Sequence, residues 1–267
     1  MQESFFTDRG IYYRRNEYNA DRQTLVFIHG VSGSSSAWLK YEDKFKDKYN
    51  ILSLDLRGHG KSLKPQNCED YKIELFVEDI YLLLQSLGIN KCIIISHSFG
   101  SIIALSFLDK HQDIASKIIL LSPQYSVNQM LSAKIIKPFI YGLAAILPKP
   151  QPRKLGTHID YSKYLNTKDW NIPRTIADVR NTGIRIYLYC AKQTYDFDGQ
   201  NILNRINIPT LIVHGRNDSI FPIKYAVDMN SKIKGSKMSV VEGSDHILVL
   251  NNFEEVSRII EDFIKQN

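Results

Sequence analysis

The chain has 267 residues, of which 43% are hydrophobic and 23% charged, and it carries a net charge of +6. This is ordinary globular composition for one large domain or two small ones, and it leaves no case for disorder. The positive excess is mild and contains no Lys/Arg run, so no nucleic-acid partner is expected.

In chain order, Ser4–Arg15, with Asp8-Arg9-Gly10 between alternating aromatics, reads as a β-hairpin. The opening MQESFFTDRG has no basic start followed by an apolar run, so no signal peptide is expected. Short runs rich in Ile, Leu and Val follow at Thr24–Ile28, Ile51–Asp55, Cys92–Ser96, Lys117–Leu121, Thr210–His214 and Lys237–Val241. Near-continuous apolar strands of this kind belong to a parallel sheet covered by helices on both faces. Helical periodicity marks Leu75–Leu87, stopped by Gly88, and then Ser101–Lys110, Ile223–Ser231 and Phe253–Lys265. The alternation predicts an α/β fold with an open, doubly wound, mostly parallel sheet, whose sites form at the carboxyl ends of strands.

From Pro123 to about Asn201 the rhythm fails. Met130–Leu147 is amphipathic or apolar, the proline-rich LPKPQPRKLG comes next, and Tyr161, Tyr164, Trp170, Tyr187, Tyr189 and Tyr195 follow. A compact domain does not hold so long a structureless loop. The sequence therefore predicts a helical cap at 123–201 inserted into a core of 1–122 and 202–267. Its most apolar part, Ile135–Leu147, contains Lys137 and Pro138 and is too short to span a bilayer. The 3 cysteines (Cys68, Cys92, Cys190) are odd in number and widely spaced. They fit free thiols in a reducing, cytoplasmic setting rather than a disulfide framework or zinc site.

The chemistry centres on CIIISHSFGS, residues 92–101. Ser98 lies directly between a buried strand and a helical pattern, where a nucleophile elbow places its serine. That turn accepts only small residues two positions before and two after; Ser96 and Gly100 both qualify, although Ser96 replaces the usual glycine. Serine at its free pKa is a poor nucleophile and needs a base oriented by a carboxylate. His246 lies in the loop after Lys237–Val241, and Asp218 in the loop after Thr210–His214. Both are thus placed at strand carboxyl ends, on the same sheet edge as Ser98. Asp245 is the rival carboxylate but adjoins His246, and adjacent side chains seldom face one another. His97 is set aside as a catalyst for the same reason, as a residue that packs beside the nucleophile or supports the site indirectly. In FIHGVSGSS the His29-Gly30 turn brings backbone close to the site, so the N–H groups of Val31 and Phe99 are the expected oxyanion donors. No Gly-Lys-Ser/Thr follows, so this is not a phosphate loop.

Taken together, LVFIHGVSGSSSAW, LSLDLRGHGKS, IIISHSFGS, TLIVHGRNDSIFP and EGSDH resemble the α/β-hydrolase superfamily, in its order and from about residue 11 to the C-terminus. The resemblance implies Ser98 as nucleophile, His246 as base and Asp218 as orienting acid, with a lid where the cap is inserted. It implies that Asp55–Gly60, with Arg57 and His59, is scaffold near the site. Haloalkane dehalogenases and epoxide hydrolases of this fold attack with aspartate, which is absent at position 98. The serine instead predicts acyl transfer and hydrolysis of a carboxylic ester, thioester or lactone, with no metal or organic cofactor. Two alternatives stay open: cleavage of a carbon–carbon bond beside a ketone by the same residues, and a ligand receptor that keeps the residues but turns over negligibly.

The cap is expected to choose the substrate, a small-molecule acyl compound of small or medium size. Its pocket residues are expected to include Phe139, Leu143 and Trp170, together with His29 and Gly30 from the core. Ile135, Ile136, Phe139, Ile140, Leu143 and Ile146 form one apolar face, either over the pocket or packed onto the core. Lys134, Lys137, Lys149, Arg153, Lys154, Lys163 and Lys168 outnumber Asp160 and Asp169, so the cap holds most of the positive excess. A solvated surface is the simpler account of that charge, and weak contact with an anionic membrane surface the other. A monomer and a homodimer are equally compatible with the sequence.

Overall fold

Eight strands in the order β1-β2-β4-β3-β5-β6-β7-β8 form one sheet in the computed structural model, which describes residues 1–127, 130–147 and 156–266. The strands are β1 Gln2–Phe6, β2 Ile11–Arg15, β3 Thr24–Ile28, β4 Asn50–Leu54, β5 Cys92–His97, β6 Ala115–Leu121, β7 Thr210–Gly215 and β8 Lys237–Val241. Only the N-terminal hairpin runs antiparallel, β1 against β2 and β2 against β4; β4 to β8 are parallel throughout. The helices are α1 Leu39–Phe45, α2 Ile73–Ser86, α3 Phe99–His111, α4 Leu131–Ile146, α5 Ile172–Thr182, α6 Ile184–Asp196, α7 Gln200–Leu203, α8 Lys224–Lys232, α9 Leu248–Asn251 and α10 Phe253–Lys265.

Alternation along the strands divides the core in two. Val26, Ile28, Ile94, Ile118, Leu120 and Ile212 face a layer built from α2, α3, α6 and α8. Leu25, Phe27, Ile93, Ile95, Ile119 and Val213 face α1 and α10, through Tyr41, Phe45, Val256, Ile260 and Phe263. Successive side chains of a strand point to opposite faces, so two covered faces require the continuous apolar runs seen in the sequence. Beside this core, Arg57 and Arg9 converge on the buried Asp79. Burial of an acidic side chain is costly unless it is paired and hydrogen-bonded in this way.

The strand order reverses between β3 and β5, where ligand crevices form in open α/β sheets. Ile28 pairs with Ser96 in register. The chain segments that follow these residues, His29–Val31 and His97–Phe99, therefore emerge side by side.

Between β6 and β7 lies the stretch that breaks the sequence rhythm. Its ends meet: Ser126 bridges Asp198, and the Gly199 N–H donates to the Tyr125 carbonyl at 2.8 Å. Helices α4 to α6 lie between those points. The proline-rich segment, with Lys149, Arg153 and Lys154, lies outside the described residues. Among the described residues no helix is long and apolar enough to cross a membrane, and all three cysteines are free thiols.

Helix α4 corrects one expectation. Ile135, Phe139, Leu143 and Ile146 are exposed, whereas Ala133 and Ala144 are buried and Ile140 is partly buried. The helix is apolar on more than one face. The inward face is the small-residue one, where Ala133 and Ala144 permit close approach, and α4 packs there against α6. Lys137 on that side pairs with Asp196 at 3.0 Å. Apolar periodicity locates such a helix but does not choose between two apolar stripes.

Candidate active site

Ser98 sits between β5 and α3 with φ 53° and ψ −117°, a conformation that is costly for any residue bearing a Cβ. It holds because both flanks are fixed. The Ser98 N–H donates to the Leu121 carbonyl at 3.0 Å, and α3 begins at the next residue. A Cβ on Gly100 would lie 2.6 Å from the His29 carbonyl oxygen and 2.7 Å from that of Ile28, so only glycine fits there. Ser96, on the other side, is fully buried and its Oγ lies 3.3 Å from Ser101 Oγ. The small hydroxyl is accommodated in the strand, and the turn keeps its sharp form.

Three side chains form a hydrogen-bonded row. His246 Nε2 is 2.8 Å from Ser98 Oγ, and His246 Nδ1 is 2.8 Å from Asp218 Oδ2. A carboxylate only accepts, so Nδ1 carries the proton and Nε2 offers its lone pair to the serine hydroxyl. Asp218 is oriented in turn by the N–H groups of Ile220 and Phe221, which donate to Oδ1 at 2.9 and 2.8 Å. Burial raises the Asp218 pKa, but His246, His214 and these donors outweigh it and hold the carboxyl below its ordinary range. Asp245, the rival carboxylate, instead accepts from the Ile247 N–H at 3.0 Å and is raised by its burial.

His97 supports the site from behind. Burial and the neighbouring His246 lower its pKa to about 3, so it is neutral. Its Nε2 donates to the His246 carbonyl at 2.9 Å. His29 is also committed: its Nε2 accepts the Leu56 N–H at 3.0 Å and its Nδ1 donates to the Gly30 carbonyl at 2.7 Å. It stiffens the turn that carries Gly30 and Val31. A Cβ on Gly30 would stand 3.3 Å from Ser98 Cβ, which measures how closely this turn approaches the serine. The Phe99 N–H is the first of α3 and has no acceptor within the helix. His59 and Arg57 are structural, with His59 Nδ1 donating to the Arg57 carbonyl at 2.9 Å and Arg57 gripping Asp79.

A cavity of about 520 Å³ opens over the row. Its floor is core: His29, Gly30, Val31, Ser98, Phe99 and His246. Its walls come from the 123–201 stretch, through Ile136, Tyr161, Trp170, Arg174, Asp178 and Tyr187. Of the expected pocket residues, His29, Gly30 and Trp170 line it, and Phe139 and Leu143 do not. These two lie on the outward face of α4, exposed by 68% and 46%. Among the described residues no group of three or more His, Cys, Asp or Glu side chains is placed to hold a metal ion.

Sequence reasoning missed the polar residues of the wall. Tyr161 donates to Asp178 Oδ1 at 2.8 Å, and burial pushes the Asp178 carboxyl up to about 6. Asp169, also in the wall, reaches the His246 backbone; outside the cavity lining, His158 lies 2.8 Å from the buried Asp55. None has a motif or local spacing to announce it, because each partner is far away in the chain.

This mostly parallel sheet thus carries its hydrogen-bonded serine at the strand switch. Residues 23–253 match the family described as the alpha/beta hydrolase fold, and the chain belongs to that family. It is similar to Epoxide hydrolase 3 of Xenopus tropicalis, at 23% identity over 91% of this chain and 71% of the relative. Among solved structures it is similar to an alpha/beta hydrolase from a Medee basin deep-sea metagenome library, with TM-score 0.79, 20% identity and coverage of 100% and 98%. A thermophilic esterase from Thermogutta terrifontis superposes with TM-score 0.74 at 17% identity, covering 96% of this chain and 93% of that one.

Proposed function

We propose that this hydrolase cleaves a carboxylic ester, or a related thioester or lactone, through an acyl-enzyme on Ser98. The observation that carries the reading is the 2.8 Å approach of His246 Nε2 to Ser98 Oγ, with Nδ1 held by Asp218. As Oγ attacks the acyl carbon, Nε2 takes its proton, and Asp218 stabilises the imidazolium that forms. The developing oxyanion lies toward the N–H groups of Val31 and Phe99. His246 then returns the proton to the leaving group, and repeats the cycle with water to release the acid.

A serine also argues against epoxide opening as the reaction here, despite the similarity to an epoxide hydrolase. Attack of Ser98 Oγ on an epoxide carbon would leave an ether, which this site has no means to hydrolyse; an acyl ester returns the serine. The cavity volume suits a small or medium acyl compound, and the 123–201 stretch acts as the lid that selects it. Three free thiols support a reducing, cytoplasmic setting.

Ser98→Ala is expected to abolish hydrolysis of an activated aryl ester, by at least about 10³-fold, and labelling by a fluorophosphonate. Wild-type turnover in this variant would refute the assignment.

A further inference from the structure

Ser98, His246 and Asp218 all belong to the core, yet one carboxylate of the insert holds the backbone on which two of them stand. Asp169 lies just before α5 and is buried, with 7% exposure. Its Oδ1 accepts the N–H of His246 itself at 2.7 Å. Its Oδ2 accepts the N–H and the Oγ–H of Ser219, the residue after Asp218, at 2.9 and 2.7 Å. Hydrogen bonds to a carboxylate are short and strong, and here three converge on one side chain from two separate loops.

The anchor is itself anchored. Arg174, also buried, donates to the Asp169 carbonyl at 2.7 Å and to Thr167 Oγ1 at 3.1 Å. Trp170 Nε1 donates to Ser219 Oγ at 2.9 Å. Asn251 donates to the Thr167 carbonyl at 2.8 Å and accepts the Asn166 N–H at 2.9 Å. The 166–170 segment is thus sewn to both loops. His97 holds the His246 carbonyl from the opposite side, so the backbone of the base is gripped at its N–H by the insert and at its C=O by the elbow.

We infer that Asp169 is a positioning residue, which makes seating of the insert a condition for aligning His246 between Asp218 and Ser98. The inference rests on reading Ser98, His246 and Asp218 as the catalytic row. Without Asp169 the ring of His246 is still bonded at both nitrogens, but its backbone is fixed from one side only. A displacement of about 1 Å at such a group costs up to about 10²-fold in rate.

The test compares Asp169→Asn, Ser219→Ala and the exposed neighbour Lys168→Ala with wild type on an aryl ester. Asparagine replaces one acceptor by an NH₂ that faces the N–H donors of His246 or Ser219. Asp169→Asn is expected to lower kcat by about 30- to 100-fold with KM within about threefold. Fluorophosphonate labelling should slow by a similar factor yet reach the same final stoichiometry. Ser219→Ala, which removes one of the three bonds to Asp169 together with the acceptor of Trp170 Nε1, should lower kcat by about three- to tenfold, and Lys168→Ala should match wild type. Wild-type kcat in Asp169→Asn, or a loss expressed only in KM or only in labelling stoichiometry, overturns the inference. If Asp169→Asn does not fold, an unchanged kcat in Ser219→Ala overturns it. Ser98→Ala separates the failures: if it is inactive while Asp169→Asn is normal, only the positioning role falls; if it is active, the catalytic reading falls as well.

Discussion

The sheet and the stretch between β6 and β7 are held by different kinds of force. Every residue of β3, β5 and β7 is buried, and the helices beside them interlock with apolar side chains on two faces. Helix α6 shares in this through Ile186, Leu188 and Tyr189. Helices α4 and α5, in contrast, turn Ile135, Phe139, Leu143, Ile172 and Ile176 outward. Much of the attachment around them is polar. Ser36 Oγ donates to the Ile159 carbonyl at 2.9 Å, Thr182 Oγ1 to the Ser32 carbonyl at 3.2 Å, Lys64 to the Asn181 carbonyl, and His158 pairs with Asp55. Apolar burial accumulates with area and is indifferent to direction. A net hydrogen bond contributes only about 1 kcal/mol but fixes direction. The sheet is thus held mainly by non-directional burial, and the stretch between β6 and β7 in good part by directional bonds.

Three substitutions would break or sharpen this contrast. The largest effect is expected in the core, from Gly100→Ala, whose new methyl would meet two carbonyl oxygens at 2.6 and 2.7 Å. Overpacking against backbone should destabilise by about 3 kcal/mol and lower kcat/KM by more than about 100-fold, measurable by urea denaturation and ester kinetics. A wild-type urea midpoint would show that the elbow gives way more easily than its packing implies.

Asp178→Asn should act in the opposite direction and depend on pH. Its carboxyl is held up at about 6 against an ordinary value of 3.8. A raised carboxyl takes up protons more readily in the folded state, so its penalty is absent below about pH 4, grows up to about pH 6 and is complete above it. The amide removes the penalty and keeps an acceptor for Tyr161. The variant should therefore be more stable by on the order of 2 kcal/mol at pH 8 and indistinguishable from wild type near pH 4, as thermal melts at the two pH values would reveal. An equal gain at both would point to packing instead of charge.

The smallest effect belongs to the outward face of α4. Phe139→Ser should change stability by less than about 0.5 kcal/mol and leave kcat/KM for a small aryl ester within about twofold. A large rise in KM would put this face back into the substrate pocket.

The same contrast separates what was legible in the sequence from what was not. β3, β8 and α10 run over Thr24–Ile28, Lys237–Val241 and Phe253–Lys265, as their local periodicity predicts. Ser98, Asp218 and His246 follow strands, so recognising the strands brought the three to one edge. Helix α3 starts at Phe99 instead of Ser101, because the chain turns within the single residue Ser98. Helix α1 is not legible, since LKYEDKF is too short and too charged to show a period. Within the insert, the extent of α4 was legible but its inward face was not, and nothing near Asp169 marks a bond to a residue 77 positions away.

The bridge between Ser126 and Asp198 has a consequence for the history of such a chain. A stretch that leaves and re-enters at adjacent points burdens its host with a loop-closure cost that rises only slowly with length. The host strands β6 and β7 stay paired whatever lies between them. The stretch beyond that doorway can then lengthen or be rebuilt without disturbing the pairing of the sheet, provided that the bonds of Asp169 to His246 and Ser219 are kept.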